Sequence, residues 1–259
     1  MARPSLLPFL LLLAAGPAHA AELACRFEAG TITVPAQVAG IAGDYILDTG
    51  AAQTALHETK AQAEGIVAIA LTGDVSVGGM VVRAAPLKVQ DLDVRTWNLP
   101  TPAAGVIGAD VLRGFVVDVT YAPCRVRLSA PGRAPRFAGR ALNLAWDLGR
   151  PTVEAAVSDD AHRLSGRFVI ATGANAPVRL ADDLAQIPGA LRPDELYPEG
   201  VFLARLPQVE FGGAVGRDVG AGLMKPEGEA VGLLGGAVLA HFRLRFDFPG
   251  GKLVVQPIP

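Results

Sequence analysis

Concentrated charge is missing from this chain. Among 259 residues, 23 Lys and Arg nearly balance 25 Asp and Glu, giving a net charge of −2. No run of basic residues forms a stripe, which argues against nucleic acid as a partner. Histidine is sparse: His19, His57, His162 and His241 are scattered, and none has the spacing of a metal pair. Neither a metal nor a cofactor is expected. There is no Gly-x-Ser-x-Gly elbow and no phosphate loop. Trp97 and Trp146 are single aromatics and read as packing residues. Beyond the first twenty residues, no apolar run is long enough to cross a bilayer.

Those first twenty residues have a layout of their own. Arg3 supplies a positive start, Leu6 to Ala15 is apolar, Gly16 and Pro17 break the run, and Ala18-His19-Ala20 is a small-x-small site. This is the pattern of a secretory signal peptide cleaved before Ala21. A retained anchor is the alternative. A lipid-modified Cys25 fits less well, because Glu22 and a polar gap separate it from the apolar run. The expected location is periplasmic or secreted, with no membrane contact after cleavage. Cys25 and Cys124 are the only cysteines. An oxidising compartment favours a disulfide between them over two buried thiols.

Glycine and proline punctuate short apolar runs. Thr31 to Val38, Tyr45 to Leu47, Val75 to Val82, Gly114 to Val119 and Arg125 to Leu128 read as strands. Pro35 assigns the first of these to a sheet edge. Helical signals are short: Ala52 to Glu64 and Ala181 to Ile187. Many short strands with little helix predict an all-β sandwich or barrel.

Three blocks of sequence occur twice, in the same order. Tyr45-Ile46-Leu47-Asp48-Thr49-Gly50-Ala51 parallels Phe168-Val169-Ile170-Ala171-Thr172-Gly173-Ala174. Val75-Ser76-Val77-Gly78-Gly79 parallels Val209-Glu210-Phe211-Gly212-Gly213. Gly105 to Phe115 parallels Gly232 to Phe242, and from Gly108 and Gly235 the match continues without a gap. Val117 then meets Leu244, Val119 meets Phe246 and Tyr121 meets Phe248, with the apolar alternation in phase. This predicts two homologous lobes, 21–130 and 141–259, joined by a Pro/Gly/Arg-rich linker at 131–140 and preceded by the signal segment 1–20.

The order of the blocks resembles the retropepsin and pepsin clan, above all the small bacterial aspartyl-protease-like proteins. The resemblance spans nearly the whole mature chain. It implies a two-lobed double β-barrel with a few short helices and a central cleft. It also implies a pair of Asp-Thr-Gly loops meeting between the lobes, whose carboxylates, about 3 Å apart, share one proton. One carboxylate acts as base on a water while the other acts as acid toward the scissile carbonyl. Carried over, Asp48 matches the catalytic aspartate, Thr49 and Thr172 the interlocking threonines, and Gly50 and Gly173 the loop glycines. Ala171 stands where the second aspartate belongs. Val77, Gly78 and Gly79 are the candidate flap, which has no tyrosine; a plain hairpin turn is its alternative. Asn175, Asp159, Asp160, Asp182 and Asp183 are near Ala171 in sequence, and none clearly replaces the missing acid.

Three functions remain open on these grounds. The first is an exported aspartic-type peptidase relying on Asp48, with weak activity at most. The second is an inactive relative that binds extended peptides in the cleft. The third is a structural or inhibitory partner of another envelope protein. A peptide or protein segment is the expected cleft ligand. A monomer is favoured over a homodimer that pairs two Asp48 loops, because the tethered second lobe would have to be displaced. Asp48 as an ordinary turn residue is the plainest alternative.

Overall fold

A computed structural model describes residues 22–158, 163–181 and 204–258. The first half runs β1 (Glu22–Ala24), β2 (Arg26–Glu28), β3 (Thr31–Val38), β4 (Ile41–Leu47), β5 (Ala55–His57), α1 (Glu58–Ala63), β6 (Ala70–Val77), β7 (Met80–Gln90), α2 (Asp93–Thr96), β8 (Ala103–Ile107), α3 (Ala109–Leu112), β9 (Val116–Tyr121) and β10 (Cys124–Ser129). The second half runs β11 (Arg140–Asn143), β12 (Ala145–Asp147), β13 (Arg150–Ser158), β14 (Arg163–Ile170), β15 (Val178–Ala181), β16 (Ala204–Phe211), β17 (Ala214–Met224), β18 (Gly232–Leu234), α4 (Gly236–Leu239), β19 (Phe242–Asp247) and β20 (Lys252–Pro257).

The sequence repeat is a repeat of barrels. Strands β3-β4-β8-β5-β7-β6 pair in that order, and β6 pairs back onto β3, closing a six-stranded ring with β2 as an appended strand. Strands β13-β14-β18-β15-β17-β16 close the same way on β13, with β12 appended. In each barrel the strand leading to the Thr-Gly loop lies parallel to the strand that opens the third duplicated block: Ile46 beside Val106, and Val169 beside Leu233. Strand β8 is buried along its whole length, which accounts for its unbroken apolar sequence.

A third sheet joins the lobes in the order β1-β10-β9-β19-β20-β11. At its centre β9 runs antiparallel to β19, pairing Val119 with Leu244, Asp118 with Arg245 and Val117 with Phe246. Val117 is the sequence counterpart of Leu244, and Val119 that of Phe246, so the pairing is isologous about a pseudo-twofold axis. Asp118 and Arg245 are counterparts of each other and meet on that axis. Arg245 donates Nε and Nη2 to the two Asp118 oxygens at 2.6 and 2.7 Å. Identical lobes would place like charges at this position, so the two halves are specialised for each other. Residues 131–140 carry almost no regular structure, yet they are docked: Arg245 also donates to the Pro135 carbonyl and lies 4.8 Å from the Phe137 ring.

Cys25 and Cys124 form a disulfide across 99 residues of sequence. It fastens the start of the described chain to the shared sheet. No helix among the described residues is long and apolar enough to cross a membrane. Residues 1–20, His162, Asp159, Asp160, Asp182 and Asp183 lie outside the described residues.

Three local expectations are corrected. β3 is not an edge strand: it pairs with β4 from Thr33 to Val38, while β2 covers Thr31 to Thr33 and β6 covers Ala36 to Val38 on its other side. Pro35 sits exposed between those two partners, where no donor is required. The segment Ala52 to Glu64 is helical only from Glu58 to Ala63, because Ala55 to His57 form a barrel strand between β7 and β8. The segment beginning at Ala181 is the end of β15, drawn into the sheet beside β17 and β18, and its continuation lies outside the described residues.

Two outcomes test this architecture. Replacing both cysteines with serine should lower stability by about 4 kcal/mol, since the bridge closes a loop of roughly a hundred residues; chemical denaturation with and without reductant measures it. Asp118→Arg should cost about 3 kcal/mol by setting two buried guanidinium groups against each other. Adding Arg245→Asp should recover most of that loss.

Candidate functional site between the lobes

The Thr-Gly loops meet where β4 and β14 end. Asp48 donates its N–H to Ile107, and Ala171 donates its own to Leu234, both at 3.0 Å. The threonines then cross the interface. Thr49 N–H donates to Thr172 Oγ1 at 3.1 Å, and Thr172 N–H donates to Thr49 Oγ1 at 3.3 Å. Each hydroxyl donates in turn to the opposite strand: Thr172 to Leu47 at 2.6 Å, and Thr49 to Ile170. Both side chains are fully buried, so each bond replaces one that water cannot supply.

The two glycines make this approach possible. A Cβ on Gly50 would stand 2.4 Å from the Ala171 Cβ, and one on Gly173 would stand 2.5 Å from the Asp48 Cβ. These reciprocal contacts place the Ala171 methyl at the pseudo-symmetric counterpart of the Asp48 Cβ. The loops keep the symmetry of a dyad, while only one side carries an acid.

Asp48 is buried and accepts from three donors. Oδ1 accepts the Gly50 N–H at 2.8 Å and the Gly173 N–H at 3.2 Å. Oδ2 accepts Arg95 Nη2 at 2.6 Å, and the same nitrogen reaches the Gly173 carbonyl at 3.1 Å. A guanidinium therefore ties the Asp48 carboxylate to the opposite loop. Close by, burial pushes the Tyr121 phenol well above its ordinary range, and the negative charge of Asp48 adds to the shift.

Arg95 was not legible as a site residue, and α2 explains its position. Leu92, just before α2, is 2% exposed and packs with Ile46, Leu99, Ala103 and Val106 beneath the site. Asp91 accepts the Asp93 N–H at 2.7 Å, and the Asp93 carboxylate meets His57 Nε2 at 3.1 Å. Asp91, Asp93 and His57 thus gather within 4.8 Å of one another, and the contact of His57 Nε2 with Asp93 ties α2 to the end of β5. The available signal was position: the segment feeds directly into β8, which lies beside the strand ending at Asp48.

A cleft of about 220 Å³ opens above the carboxylate, lined by Val94, Arg95, Asn175, Arg179 and Leu233 among others. Val77, Gly78 and Gly79 are not among its lining residues. Val77 is buried in the first barrel, and Gly78 and Gly79 form the β6–β7 turn with φ of 57° and 74°, a left-handed pair typical of a tight hairpin. The residues standing over Asp48 come from α2 instead. Trp146 packs against Phe248 at 5.6 Å, whereas Trp97 is 71% exposed and is not a packing residue. His241 lies on a separate groove of the second lobe.

Residues 34–117 match the aspartyl protease family model. Comparison with curated proteins gives no match. Among solved structures, the aspartic proteinase from Irpex lacteus aligns with a TM-score of 0.56 at 11% identity, covering 92% of this chain and 97% of that chain. At that identity the likeness is one of fold, and it extends over both lobes.

Thr172→Val should cost about 2–3 kcal/mol, because it removes a hydroxyl that both donates and accepts across the interface and strands its buried partners. Thr172→Ser, which keeps the hydroxyl, should retain most of the stability in the same denaturation experiment.

Proposed function

We propose that this aspartic-protease-like chain is an exported peptide-binding protein that no longer cleaves. The observation carrying this reading is the partner of Asp48, which is an arginine from α2 rather than a second carboxylate. Aspartic catalysis needs one carboxylate as base and one carboxylic acid as proton donor at the same moment. The Ala171 methyl donates no proton, and a guanidinium stays protonated throughout the working range, so it cannot serve as an exchangeable acid.

Three further features support the reading. Thr49, Thr172, Gly50 and Gly173 hold the lobes in register, so the cleft is kept although the acid is gone. The disulfide and the leading apolar segment support an oxidising, extracytoplasmic setting. The opposed charges of Asp118 and Arg245 at the pseudo-twofold position support a monomer. A second copy would not supply Asp48 with an aspartate without breaking that sheet.

The test is a diverse peptide library presented to the mature protein from acid to neutral pH. Saturable binding without cleavage is the expected result. Ala171→Asp alone should stay silent because Arg95 remains on Asp48, whereas Ala171→Asp with Arg95→Ala should show slow cleavage on the acid side. Cleavage by the unaltered protein that disappears in Asp48→Asn would overturn the proposal.

A further inference from the structure

The second lobe carries a larger groove, separate from the cleft over Asp48. Its volume is about 590 Å³, inside the roughly 300–1,000 Å³ range of small-molecule sites. Part of its lining is apolar and packed. Val209, Phe211 and Phe242 are buried, and the two rings meet edge to face with centroids 5.1 Å apart. Val215 and Ile258 line the same groove, yet they stay 52% and 38% exposed. An apolar ligand lying there would take that surface out of water.

The duplication shows what sets this groove apart. The β16–β17 hairpin is the counterpart of β6–β7, and the two keep one register around the turn. Val209 pairs with Gly216 as Val75 pairs with Val82. The left-handed residues Ala84 and Asp218, with φ of 50° and 52°, fall at equivalent positions. At two positions the second lobe has less side chain: Ala214 and Gly216 stand where the first lobe has Met80 and Val82, both packed on the core. At a third the charge differs. Arg83 is paired with Asp74, whereas Arg217 lies opposite Gln208. Among the described residues, Arg217 has no ion-pair or hydrogen-bond partner, and neither has the ring of His241, which lines the same groove. Asp218 lines it too, but both of its carboxylate oxygens are held by Arg205. The uncommitted charge of the groove is therefore positive.

We infer that this groove is a second binding site, which takes a small amphipathic carboxylate. The apolar body of the ligand lies over Val209, Phe211 and Phe242 and covers Val215 and Ile258. Its carboxylate meets Arg217, whose planar fork offers two parallel donors, with His241 on the same groove. The site is independent of the peptide-binding reading of the Asp48 cleft and shares none of that cleft's lining residues.

The experiment is isothermal titration calorimetry of the mature chain at neutral pH with four probes: decanoate, decanol, decyltrimethylammonium and acetate, each below its micelle concentration. Decanoate should bind at one saturable site about tenfold more tightly than decanol, the gain expected from a charge-assisted pair. Decyltrimethylammonium should bind more weakly than decanol, and acetate, which has no apolar body, should not bind. Ala214→Met places in the groove the residue that the first lobe's hairpin already carries at that register. It should weaken decanoate and decanol alike by about tenfold or more, with thermal stability retained. Arg217→Gln, at an exposed position, should bring decanoate down to the level of decanol and leave decanol unchanged. Equal binding of decanoate, decanol and the ammonium probe would overturn the assignment to a carboxylate. Undiminished decanoate binding in Ala214→Met would place the ligand elsewhere and overturn the site, and so would silence from all four probes. None of these results bears on peptide binding over Asp48, which the library experiment reads separately.

Discussion

Everything at the centre of this molecule depends on the crossed threonines. Thr49 and Thr172 are buried, and each uses its hydroxyl and its N–H to satisfy the opposite loop. A buried polar group left unpaired costs more than a made bond gains, so neither loop can move without exposing the other to that penalty. The close approach that follows is what requires glycine at 50 and 173. The side chain at 171 contributes no bond to the lock, so the crossed threonines do not depend on which residue stands there.

Duplication gives two lobes a shared geometry, and wherever a charged residue meets its own counterpart across the pseudo-twofold axis the two must differ or repel. At the base of the molecule the solution is Asp118 against Arg245, counterparts carrying opposite charge. At the top it is Asp48 on one loop and Ala171 on the other, with Arg95 supplying the missing opposite charge. An active aspartic dyad accepts repulsion between two carboxylates at this point because the chemistry uses it. Here an ion pair between Asp48 and Arg95 stands at that point.

Much of the fold was legible because duplicated blocks carry their own register. The strand before Asp48, the Gly105 to Phe115 block and their second copies fixed which strands correspond, and the barrels follow from that. The threonines and glycines of the site were legible for the same reason. What escaped was long-range. Arg95 reaches Asp48 across 47 residues of sequence, and no second copy marks it. β5 was hidden inside a helical-looking segment because three residues carry too little periodicity to reveal a strand. Pro35 misdirected the reading of β3, since a gap between two partners on one side of a strand is a tertiary feature. The Gly78-Gly79 hairpin was recognisable as a hairpin, but its distance from the cleft depends on how the barrel closes.

The central claim is that Asp48 is committed to Arg95. A double-mutant cycle measures that commitment directly: Asp48→Asn and Arg95→Gln, singly and together, with unfolding free energies determined at neutral pH. The account predicts a coupling energy of about 2 kcal/mol or more, as for a largely buried pair whose partner is stranded by either single change. A coupling below about 0.5 kcal/mol, the range of independent sites, would mean that Asp48 does not depend on the arginine, and the reading of this site as a silenced dyad would be contradicted.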